Sequence, residues 1–491
     1  MKETSKKINI LIIGAGEAGQ LLLSNIIQDK DSALSVVGFI DDDLNKQDKK
    51  YDGCKVLGTL KDLKKVAKEN GIKELLIAIP SERGNAIRKV VENSIGLGLV
   101  YKILPRKSEI LLQDFSKNYL KHIRRVEPED LLGGEIPKAD QEEVAKFIKG
   151  RSILVTGAAG SIGSELSRQL SAYGPSKIVF YDWWENGMFE LQNHILENYP
   201  HLDCEFIIGD IKDRKKISNV MKFFKPDSIF HAAAYKHVPL MESNSPEAVK
   251  NNIFGTKTVA ELAVKHEVEK FVLISTDKAV NPTNIMGATK RAAEKMIHII
   301  AESQDVTTFC AVRFGNVINS NGSAIPIFER QIESGGPVTV THKEITRYFM
   351  TIPESVHLIL KAWVMGKNND LFVLDMGEPI RIYDFVRLLI AVRGYNPDED
   401  ISIKITGLRP GEKLFEEILV DDESTSSTKY NKIFRTKNYL NFDKLSFLNN
   451  LSLLAEMVKE EDFSPQDLKN MLKKMISTYV PKEEQIVCKQ S

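Results

Sequence analysis

The sequence predicts an α/β fold with two Rossmann-like, doubly wound parallel-sheet domains. Two glycine-rich runs, at residues 14–19 and 157–163, each follow an apolar strand pattern and precede a helical one. Strand and helix patterns then alternate along both regions, as expected when crossover helices join parallel strands. With 491 residues the chain is too long for one ordinary core, so two or three domains are expected.

Composition narrows the classes of function. Lys plus Arg and Asp plus Glu both number 67, so no net basic field attracts nucleic acid or an anionic membrane. The four cysteines form no Cys-x-x-Cys pair, which argues against a zinc site and a disulfide scaffold and indicates a reducing compartment. The chain runs almost at once into a strand and contains no 18-residue apolar run, so we expect neither a signal peptide nor a membrane span. We predict a cytoplasmic location and no metal site.

The amino-terminal domain, predicted for residues 1–120, opens with a dinucleotide-like pattern. A strand at residues 8–13 leads into Gly-x-Gly-x-x-Gly, and a second strand at 36–40 ends at Asp41, near the offset at which an acid meets a ribose. Two interpretations stay open: the loop binds a dinucleotide, or its glycines only permit close packing of strand and helix. Further helices are predicted at 61–70 and 85–95, and further strands at 74–79 and 100–104.

A connector is predicted for residues 121–150, where charge, glycine and proline are frequent. It leads to the second domain, predicted for residues 151–420, which carries a stronger nucleotide pattern. Here a strand at 152–155 precedes Gly-x-x-Gly-x-x-Gly, whose glycines let the backbone approach a pyrophosphate at a helix amino terminus. Further strands are predicted at 177–181, 205–208, 228–230, 271–274 and 308–312, and further helices at 164–170 and 246–266.

Asp182 ends the second strand of this domain, 19 positions after Gly163. An acid there accepts hydrogen bonds from the ribose diol and repels a 2′-phosphate, so NAD is predicted rather than NADP. Asp210 has two interpretations, a contact to the adenine amine or a helix cap. The predicted cofactor-binding residues are Gly157, Gly160, Ser161, Ile162, Gly163, Asp182, Asp210, Ile211, Ala232, Ala233, Ala234 and Lys290.

The chemistry is predicted where the strand at residues 271–274 ends. Thr276, Asp277 and Lys278 place a hydroxyl, an acid and a base at the carboxyl end of a buried parallel strand, where open α/β sheets bind ligands. Met286 and Lys290 are four apart in a helical pattern and therefore share one face. We predict these five residues as catalytic; the alternatives are an Asp-Lys pair that caps a loop and a methionine in the core.

Four motifs identify a family. They are Thr-Gly-x-x-Gly-x-x-Gly from residue 156, His-Ala-Ala-Ala-Tyr-Lys-His-Val-Pro from 231, Ser-Thr-Asp-Lys-Ala-x-x-Pro-x-Asn-x-Met-Gly-x-Thr-Lys from 275 and Arg-Phe-Gly-Asn-Val from 313. Over residues 8–419 the chain closely resembles extended short-chain dehydrogenases that act as nucleotide-sugar 4,6-dehydratases in bacterial polysaccharide and glycan biosynthesis. Most relatives have Tyr in the place of Met286. In having Met there, the chain resembles the long branch of the family, which acts on UDP-N-acetylglucosamine. Many long members carry transmembrane helices ahead of the first domain, so we expect a soluble or a truncated form here.

The resemblance implies an extended short-chain dehydrogenase fold with a smaller substrate-binding lobe, and an internal redox cycle on NAD. Hydride leaves carbon 4 of the sugar, water is lost across carbons 5 and 6, and hydride returns to carbon 6. Because Met286 cannot ionise, Thr276 is expected to relay the carbon-4 hydroxyl proton while Lys290 holds the nicotinamide ribose. A neutral Lys278 is expected to remove the carbon-5 proton, and a protonated Asp277 to donate to the carbon-6 hydroxyl.

Substrate contacts are predicted mainly downstream of this cluster. Residues 320–323 resemble the sugar and pyrophosphate loop of the family. Residues 407–413 resemble the part that holds UDP, where Arg409 offers bidentate contact to a phosphate, and we expect a helix to follow. The predicted substrate-binding residues are Lys236, His237, Asn316, Asn321, Gly322, Arg347, Arg409 and Glu412.

The tail, residues 421–491, is predicted to hold a flexible polar loop at 423–428 and two amphipathic helices at 442–461 and 465–478 that pack on a domain or subunit. Since the family tends to self-associate, a homo-oligomer is expected.

Three functions remain open. The first is a UDP-N-acetylglucosamine 4,6-dehydratase with tightly held NAD, the second a nucleotide-sugar epimerase of the same fold, and the third a non-catalytic nucleotide-sensing scaffold. Asp277 and Lys278 favour elimination, because a carbon-4 epimerase needs neither an acid at carbon 6 nor a base at carbon 5. Lys278 and Lys290 together argue against a scaffold. The sequence leaves open the hexose and the configuration at carbon 5.

Overall fold

A computed structural model describes residues 7–29, 31–79, 84–104, 119–133, 141–419, 424–437, 442–460 and 463–481. The chain forms two compact units. The first comprises Met1–Gly134, Ser323–Glu344 and Ile380–Thr406; the second comprises Glu135–Gly322, Ile345–Pro379 and Gly407–Ser491. The predicted domain boundaries stay predictions. The grouping differs from them because residues 323–344 and 380–406 fall with the amino-terminal region.

The first unit contains a five-stranded sheet. Its first four strands in space are parallel, and the short strand Arg124–Arg125 is antiparallel at one edge. In spatial order the strands are Leu34–Ile40, Ile8–Ile13, Glu74–Ile77, Val100–Ile103 and Arg124–Arg125. The α-helices of the unit are Glu17–Gln28, Leu63–Glu69, Asn85–Glu92, Pro128–Leu132, Ala324–Glu333 and Ile382–Val392. The strands and helices predicted for residues 8–104 are thus present, with slightly different ends.

Short elements complete the first unit. Lys50–Tyr51 pairs with Cys54–Lys55, and Val338–Val340 pairs with Ile403–Ile405. The remaining elements are the strand Ile380–Arg381 and the 3-10 helices Leu44–Lys46 and Tyr119–His122. Part of the predicted connector is therefore regular structure, and residues 134–140 of it lie outside the described residues.

The second unit is built on a nine-stranded sheet. Seven strands are parallel, in the order expected of a Rossmann sheet, with Ser152–Thr156, the first strand of the unit, at the point where the order reverses. Two antiparallel strands follow at one edge. In spatial order the strands are Cys204–Ile208, Lys177–Asp182, Ser152–Thr156, Ser228–His231, Lys270–Ile274, Thr308–Arg313, Asp370–Leu374, Ile433–Lys437 and Ser424–Ser427. The predicted doubly wound α/β class is confirmed.

Helices cover both faces of this sheet. Successive side chains of the strand Ser152–Thr156 alternate between two apolar cores, with Leu154 in one and Ile153 and Val155 in the other, which explains its continuous apolar run. The α-helices are Gln141–Ile148, Ser161–Ala172, Glu185–Asn198, Arg214–Phe224, Val238–Ser243, Ser245–Ala248, Thr256–Lys265, Ile285–Glu302, Ile352–Met365, Lys444–Glu460 and Pro465–Met475. The other elements are the π-helix Val249–Gly255, the 3-10 helix Asp277–Ala279 and the strands Asn316–Val317, Thr346–Arg347 and Phe349–Met350.

Two predictions about the carboxyl-terminal region are wrong. Residues 414–419 are not helical, because the Lys413 and Leu414 carbonyls accept hydrogen bonds from Arg347 instead of from the next helical turn. The predicted polar loop at 423–428 contains the strand Ser424–Ser427, which pairs with Ile433–Lys437; residue 423 lies outside the described residues. Short polar side chains suit this strand because it lies at the sheet edge.

The two tail helices are confirmed. Phe447, Leu451, Leu454 and Val458 of Lys444–Glu460 are buried at helical spacing and pack on the core of the second unit. Residues 461, 462 and 482–491 lie outside the described residues. Within the described part of the chain, no helix combines the length and apolarity needed to cross a bilayer.

Candidate active site

The glycines of residues 157–163 have two different structural tasks. Gly157 has φ +73°, and a Cβ on it would lie 2.5 Å from the Ala233 nitrogen. A Cβ on Gly163 would lie 1.8 Å from the Gly157 oxygen, so both residues are required for close packing. Around Gly160, by contrast, the nearest atom to such a Cβ is the Gly157 oxygen at 3.4 Å. A Cβ on Gly160 would therefore make only ordinary contact. The start of the helix Ser161–Ala172 has no side-chain cap, so its backbone N–H groups suit a pyrophosphate.

Asp182 lies under this loop. Its carboxylate accepts hydrogen bonds from the Ala159 N–H at 2.9 Å and the Trp184 N–H at 3.0 Å. Burial raises the pKa of Asp182, while backbone N–H groups act in the opposite direction. The residue is therefore an organiser of the glycine loop, and a carboxylate with two N–H bonds still has lone pairs for a ribose diol.

Asp210 is not a helix cap. Its Oδ1 accepts from the Lys212 N–H at 2.8 Å, and Lys212 Nζ lies 3.4 Å from Oδ2. The next helix, Arg214–Phe224, is capped by Asp213, which accepts from the Lys216 N–H at 3.0 Å. The cap alternative is thus wrong for Asp210, and the adenine contact stays a prediction. Of the other predicted cofactor residues, Ile211 is buried, while Ser161 Oγ accepts from the N–H of Asn321 at 3.0 Å.

The predicted hydroxyl, acid and base are in direct contact. Thr276 Oγ1 donates to Asp277 Oδ1 at 2.8 Å, and Lys278 Nζ donates to the same oxygen at 3.0 Å. Lys278 also donates to Asn316 Oδ1 at 2.9 Å, which brings a predicted substrate residue into the cluster. The Asp277 side chain is 1% exposed and that of Lys278 is 18% exposed. Asp277 and Lys278 are thus largely shielded from water, as proton transfer within a site requires.

The prediction of a neutral Lys278 is wrong for this state of the protein. Burial lowers the pKa of Lys278, but the carboxylates of Asp277 and Glu416 more than offset that effect and hold the pKa above its ordinary value. Glu416 Oε1 lies 3.9 Å from Lys278 Nζ. Two carboxylates beside one amine therefore favour the ammonium form.

The Lys290 side chain, on the helix Ile285–Glu302, reaches the end of the strand Lys270–Ile274. Its Nζ donates to the Ile274 carbonyl at 2.7 Å, and burial lowers its pKa to about 8. Met286, four residues earlier on the helix Ile285–Glu302, is 3% exposed and belongs to the apolar core.

His231 lies between the hydroxyls of two threonines, Thr156 and Thr256. Burial and the charge of Lys290 lower the pKa of His231 to about 3, so its ring is neutral.

Several predicted substrate residues hold one another. Arg347 donates to the carbonyls of Thr346 and Lys413, at 2.7 and 2.8 Å, and to Glu412 Oε1 at 3.3 Å. Its guanidinium therefore organises residues 412–414. Arg409 is exposed, and its backbone N–H donates to Glu412 Oε2 at 3.1 Å. The phosphate role of Arg409 stays a prediction.

The segment that follows Ala234 lies near Lys278 and Gly322. Burial and the charge of Lys278 lower the pKa of Lys236, and burial and Lys236 lower the pKa of His237. A Cβ on Gly322 would lie 2.4 Å from His237 Cε1, so the glycine is needed where the two loops approach. These three residues stay predicted substrate contacts.

Sequence reasoning missed Glu416, although it contacts the predicted base. No local pattern marks it, because its partners Lys278 and Arg347 are distant in the chain. It also missed Glu294, which accepts from Ser275 Oγ at 2.6 Å and from Arg313 at 2.7 and 2.8 Å. Burial raises the pKa of Glu294, but its arginine partners lower it to about 2. Its position one turn after Lys290 was the available signal.

Asn252 was also missed. It accepts from the Tyr235 N–H at 2.8 Å and donates to the Tyr235 carbonyl at 3.0 Å, and so fixes the loop after the strand Ser228–His231. It lies in the π-helix Val249–Gly255, and such segments are frequent at functional sites. No sequence signal distinguished this stretch from an ordinary helix.

Known proteins resemble the chain over most of its length. The pattern of the family described as polysaccharide biosynthesis protein matches residues 153–438, and that of a CoA-binding domain matches residues 2–94. The capsular polysaccharide biosynthesis protein CapD of Staphylococcus aureus is 45% identical over 87% of this chain and 71% of CapD. A UDP-N-acetylglucosamine 4,6-dehydratase (inverting) of Campylobacter jejuni is 31% identical over 63% of this chain and 90% of its own length. A UDP-glucose 4-epimerase of Rickettsia canadensis is 33% identical over 58% of this chain and 82% of its own length.

The first family pattern covers more than half of the chain, and CapD is matched over more than two thirds of its own length. The dehydratase and epimerase relatives differ in reaction, so the family is shown while the reaction is not. The resemblance inferred from the four motifs is confirmed at this level: the chain belongs to the polysaccharide biosynthesis protein family.

Proposed function

We propose that the second unit is a UDP-N-acetylglucosamine 4,6-dehydratase that uses NAD and acts in bacterial polysaccharide or glycan biosynthesis. The observation that carries the proposal is the hydrogen-bonded cluster of Thr276, Asp277, Lys278 and Asn316 at the carboxyl end of the strand Lys270–Ile274. The similarity to a dehydratase of this substrate supports it. Hexose specificity, cytoplasmic location and homo-oligomerisation remain predictions.

The glycine loop and Lys290 are the residues proposed to hold NAD. The uncapped start of the helix Ser161–Ala172, where Gly160 carries no side chain, would accept the pyrophosphate, and Asp182 the adenosine ribose. Lys290, beside the Ile274 carbonyl, would hold the nicotinamide ribose. Bound there, NAD would accept the hydride from carbon 4 of the sugar and return it to carbon 6.

The hydrogen bond from Thr276 to Asp277 provides a proton path that does not need an ionisable group at Met286. As carbon 4 loses its hydride, its hydroxyl proton passes to Thr276 Oγ1, which passes its own proton to Asp277 Oδ1. Asp277 is then the acid that protonates the departing carbon-6 hydroxyl, which leaves as water. Lys278, in its free amine form, takes the carbon-5 proton made acidic by the new ketone.

A nucleotide-sugar epimerase is the second candidate, favoured by the similarity to the Rickettsia canadensis enzyme. It would use the same cofactor loop and the same carbon-4 oxidation. The acid and amine at Asp277 and Lys278 favour dehydration, because inversion at carbon 4 involves no loss of the carbon-6 hydroxyl.

The deciding experiment is incubation of the protein with UDP-N-acetylglucosamine in deuterated water without added reduced cofactor. A dehydratase yields a nucleotide sugar lighter by one water, with deuterium at carbon 5. An unchanged mass with a changed carbon-4 configuration would support the epimerase instead. No reaction with a panel of UDP-sugars would contradict both and favour a non-catalytic scaffold.

A further inference from the structure

Lys278 needs a proton acceptor if it is to act as a base. Two carboxylates hold its pKa above the ordinary value, so it enters the proposed reaction as an ammonium. Asp277 is not available as the acceptor, because it receives the carbon-4 hydroxyl proton through Thr276 and passes it to the leaving hydroxyl. The inference below rests on the proposed function and deepens it.

Glu416 is the second carboxylate beside Lys278. Its Oε1 lies 3.9 Å from Lys278 Nζ and 3.8 Å from Arg347 Nε, and its side chain is 5% exposed. Its Oε2 is buried and has no hydrogen-bond partner among the residues that the structure describes. Keeping a buried carboxylate charged is costly when one of its oxygens has no hydrogen-bond donor. The same oxygen has lone pairs that can take a proton.

The charged groups that face Glu416 come from three segments. Lys278 and Asp277 follow the strand Lys270–Ile274, Arg347 lies on the strand Thr346–Arg347, and Lys413 precedes Glu416 on its own segment. Burial raises the pKa of Glu416 above its ordinary value, although the three cations act in the opposite direction. Glu416 therefore binds a proton more readily than an exposed glutamate does.

We propose that Glu416 accepts the proton of Lys278 and thereby makes Lys278 the free amine that removes the carbon-5 proton. An N–H bond of Lys278 breaks as an O–H bond forms on Glu416. The amine then takes the carbon-5 proton, the carbon-6 to oxygen bond breaks, and the Asp277 proton leaves with that oxygen as water. After hydride has returned to carbon 6, Lys278 gives its proton to carbon 5 and recovers the one held by Glu416. Glu416 acts through Lys278 and is a positioning residue rather than a catalytic one.

The substitution Glu416→Gln tests this role, because it keeps the shape of the side chain and removes the acceptor. At pH 7 we expect kcat with UDP-N-acetylglucosamine to fall about 100-fold while KM stays near the wild-type value. Oxidation at carbon 4 does not need Glu416, so the absorbance of reduced nicotinamide should build up after substrate is added. Raising the pH lets Lys278 lose its proton to solvent, so kcat should recover by up to about tenfold per pH unit.

Glu417→Gln is the matched control. Glu417 is the neighbouring residue, its side chain is 51% exposed, and it accepts from Asn281 and from Lys413 Nζ at 3.1 Å. The same chemical change there should leave kcat, KM and the pH profile of the wild type intact.

A second measurement needs no turnover. In the protein as purified, Lys278 is labelled with an amine-reactive reagent at pH 8 and quantified by mass spectrometry. Without bound substrate Lys278 loses its proton to solvent, so labelling reports the pKa of Lys278 and not the proton transfer to Glu416 during turnover. Loss of the Glu416 charge lowers that pKa, so labelling in Glu416→Gln should be about tenfold faster and in Glu417→Gln unchanged.

Three outcomes would overturn the inference: wild-type kcat in Glu416→Gln at pH 7, a loss that no increase in pH restores, or unchanged labelling of Lys278. If the wild type dehydrates UDP-N-acetylglucosamine and Glu416→Gln behaves like it, this inference alone fails. If the wild type does not dehydrate the sugar, the proposed function fails, and the labelling still decides whether Glu416 controls the Lys278 proton.

Discussion

The two glycine-rich loops of this chain share a hydrogen bond and a close glycine contact but differ in electrostatics. In the first, the Ala15 N–H donates to Asp41 at 2.7 Å; in the second, the Ala159 N–H donates to Asp182 at 2.9 Å. A Cβ on the third glycine would meet the carbonyl of the first in both loops, at 2.0 Å for Gly19 and 1.8 Å for Gly163. The two motifs, whose spacings differ by one residue, thus serve the same packing in both units.

The acids of the two loops differ in their partners. Lys46 Nζ lies 3.0 Å from Asp41 Oδ2, and the N–H of Asp43 donates to Oδ1. Burial raises the pKa of Asp41, but these N–H groups and Lys46 lower it overall, whereas burial prevails at Asp182 and raises its pKa. An acid already paired with a lysine has less to offer a ribose diol. A glycine motif therefore predicts how a loop packs more securely than it predicts what the loop binds.

The largest expected effect contrasts two lysines that each lie 3.0 Å from an aspartate, Lys278 and Lys46. Lys278→Met should lower turnover of UDP-N-acetylglucosamine about 10²- to 10⁴-fold, because it removes the carbon-5 base. Lys46→Met, the matched change in the first unit, should leave turnover unchanged. Product formation followed by mass spectrometry measures both. Equal losses would mean that the first loop also takes part in the reaction.

A smaller effect is expected for the middle glycines. Gly160 and Gly16 have φ −68° and −80°, and a Cβ on either meets no atom closer than 3.4 Å, so alanine fits both backbones. Gly160→Ala should weaken NAD binding about 10- to 100-fold, because its methyl group occupies the space proposed for the pyrophosphate. The melting temperature should stay near that of the wild type.

Gly16→Ala is the control for that experiment. We expect it to leave NAD affinity and the number of NAD sites per chain unchanged when both are measured by calorimetry. A wild-type value of two sites that falls to one in Gly16→Ala would show that the first loop binds NAD and would end the distinction between the loops.

Local sequence was sufficient for much of this architecture. The apolar runs predicted the parallel strands because burial on both faces leaves no alternation, and Thr276, Asp277 and Lys278 could be grouped because they are adjacent. The partner that sets the protonation of Lys278 could not be found in this way, since Glu416 approaches it only in the folded chain. The missing helix after Lys413 has a similar cause, because Arg347 takes the carbonyls that a helix would use. The protonation of Lys278 and the absence of this helix depend on long-range charges and hydrogen bonds, which the local sequence pattern does not reveal.

The smallest expected effect sharpens the electrostatic difference itself. In Lys46→Met the Ala15 N–H, bonded to Asp41, should exchange with solvent about two- to fivefold faster at pH 7, since a partly exposed ion pair contributes at most about 1 kcal/mol. The pKa of Asp41 is lowered in the folded state, so the pair stabilises the loop above the unfolded pKa and this contribution is lost as pH falls through the folded pKa. The difference in the Ala15 exchange rate between variant and wild type, corrected for intrinsic exchange, should therefore shrink on acidification.

Amides of residues 158–163 provide the internal control. The pKa of Asp182 is raised, so its ionisation affects stability with the opposite sign, and Lys46 is not its partner. Exchange is measured by mass spectrometry on the peptide that contains Ala15 and on the peptide that contains residues 158–163. Equal changes in the exchange rates of the two peptides would show that Lys46 acts on the whole chain rather than on Asp41.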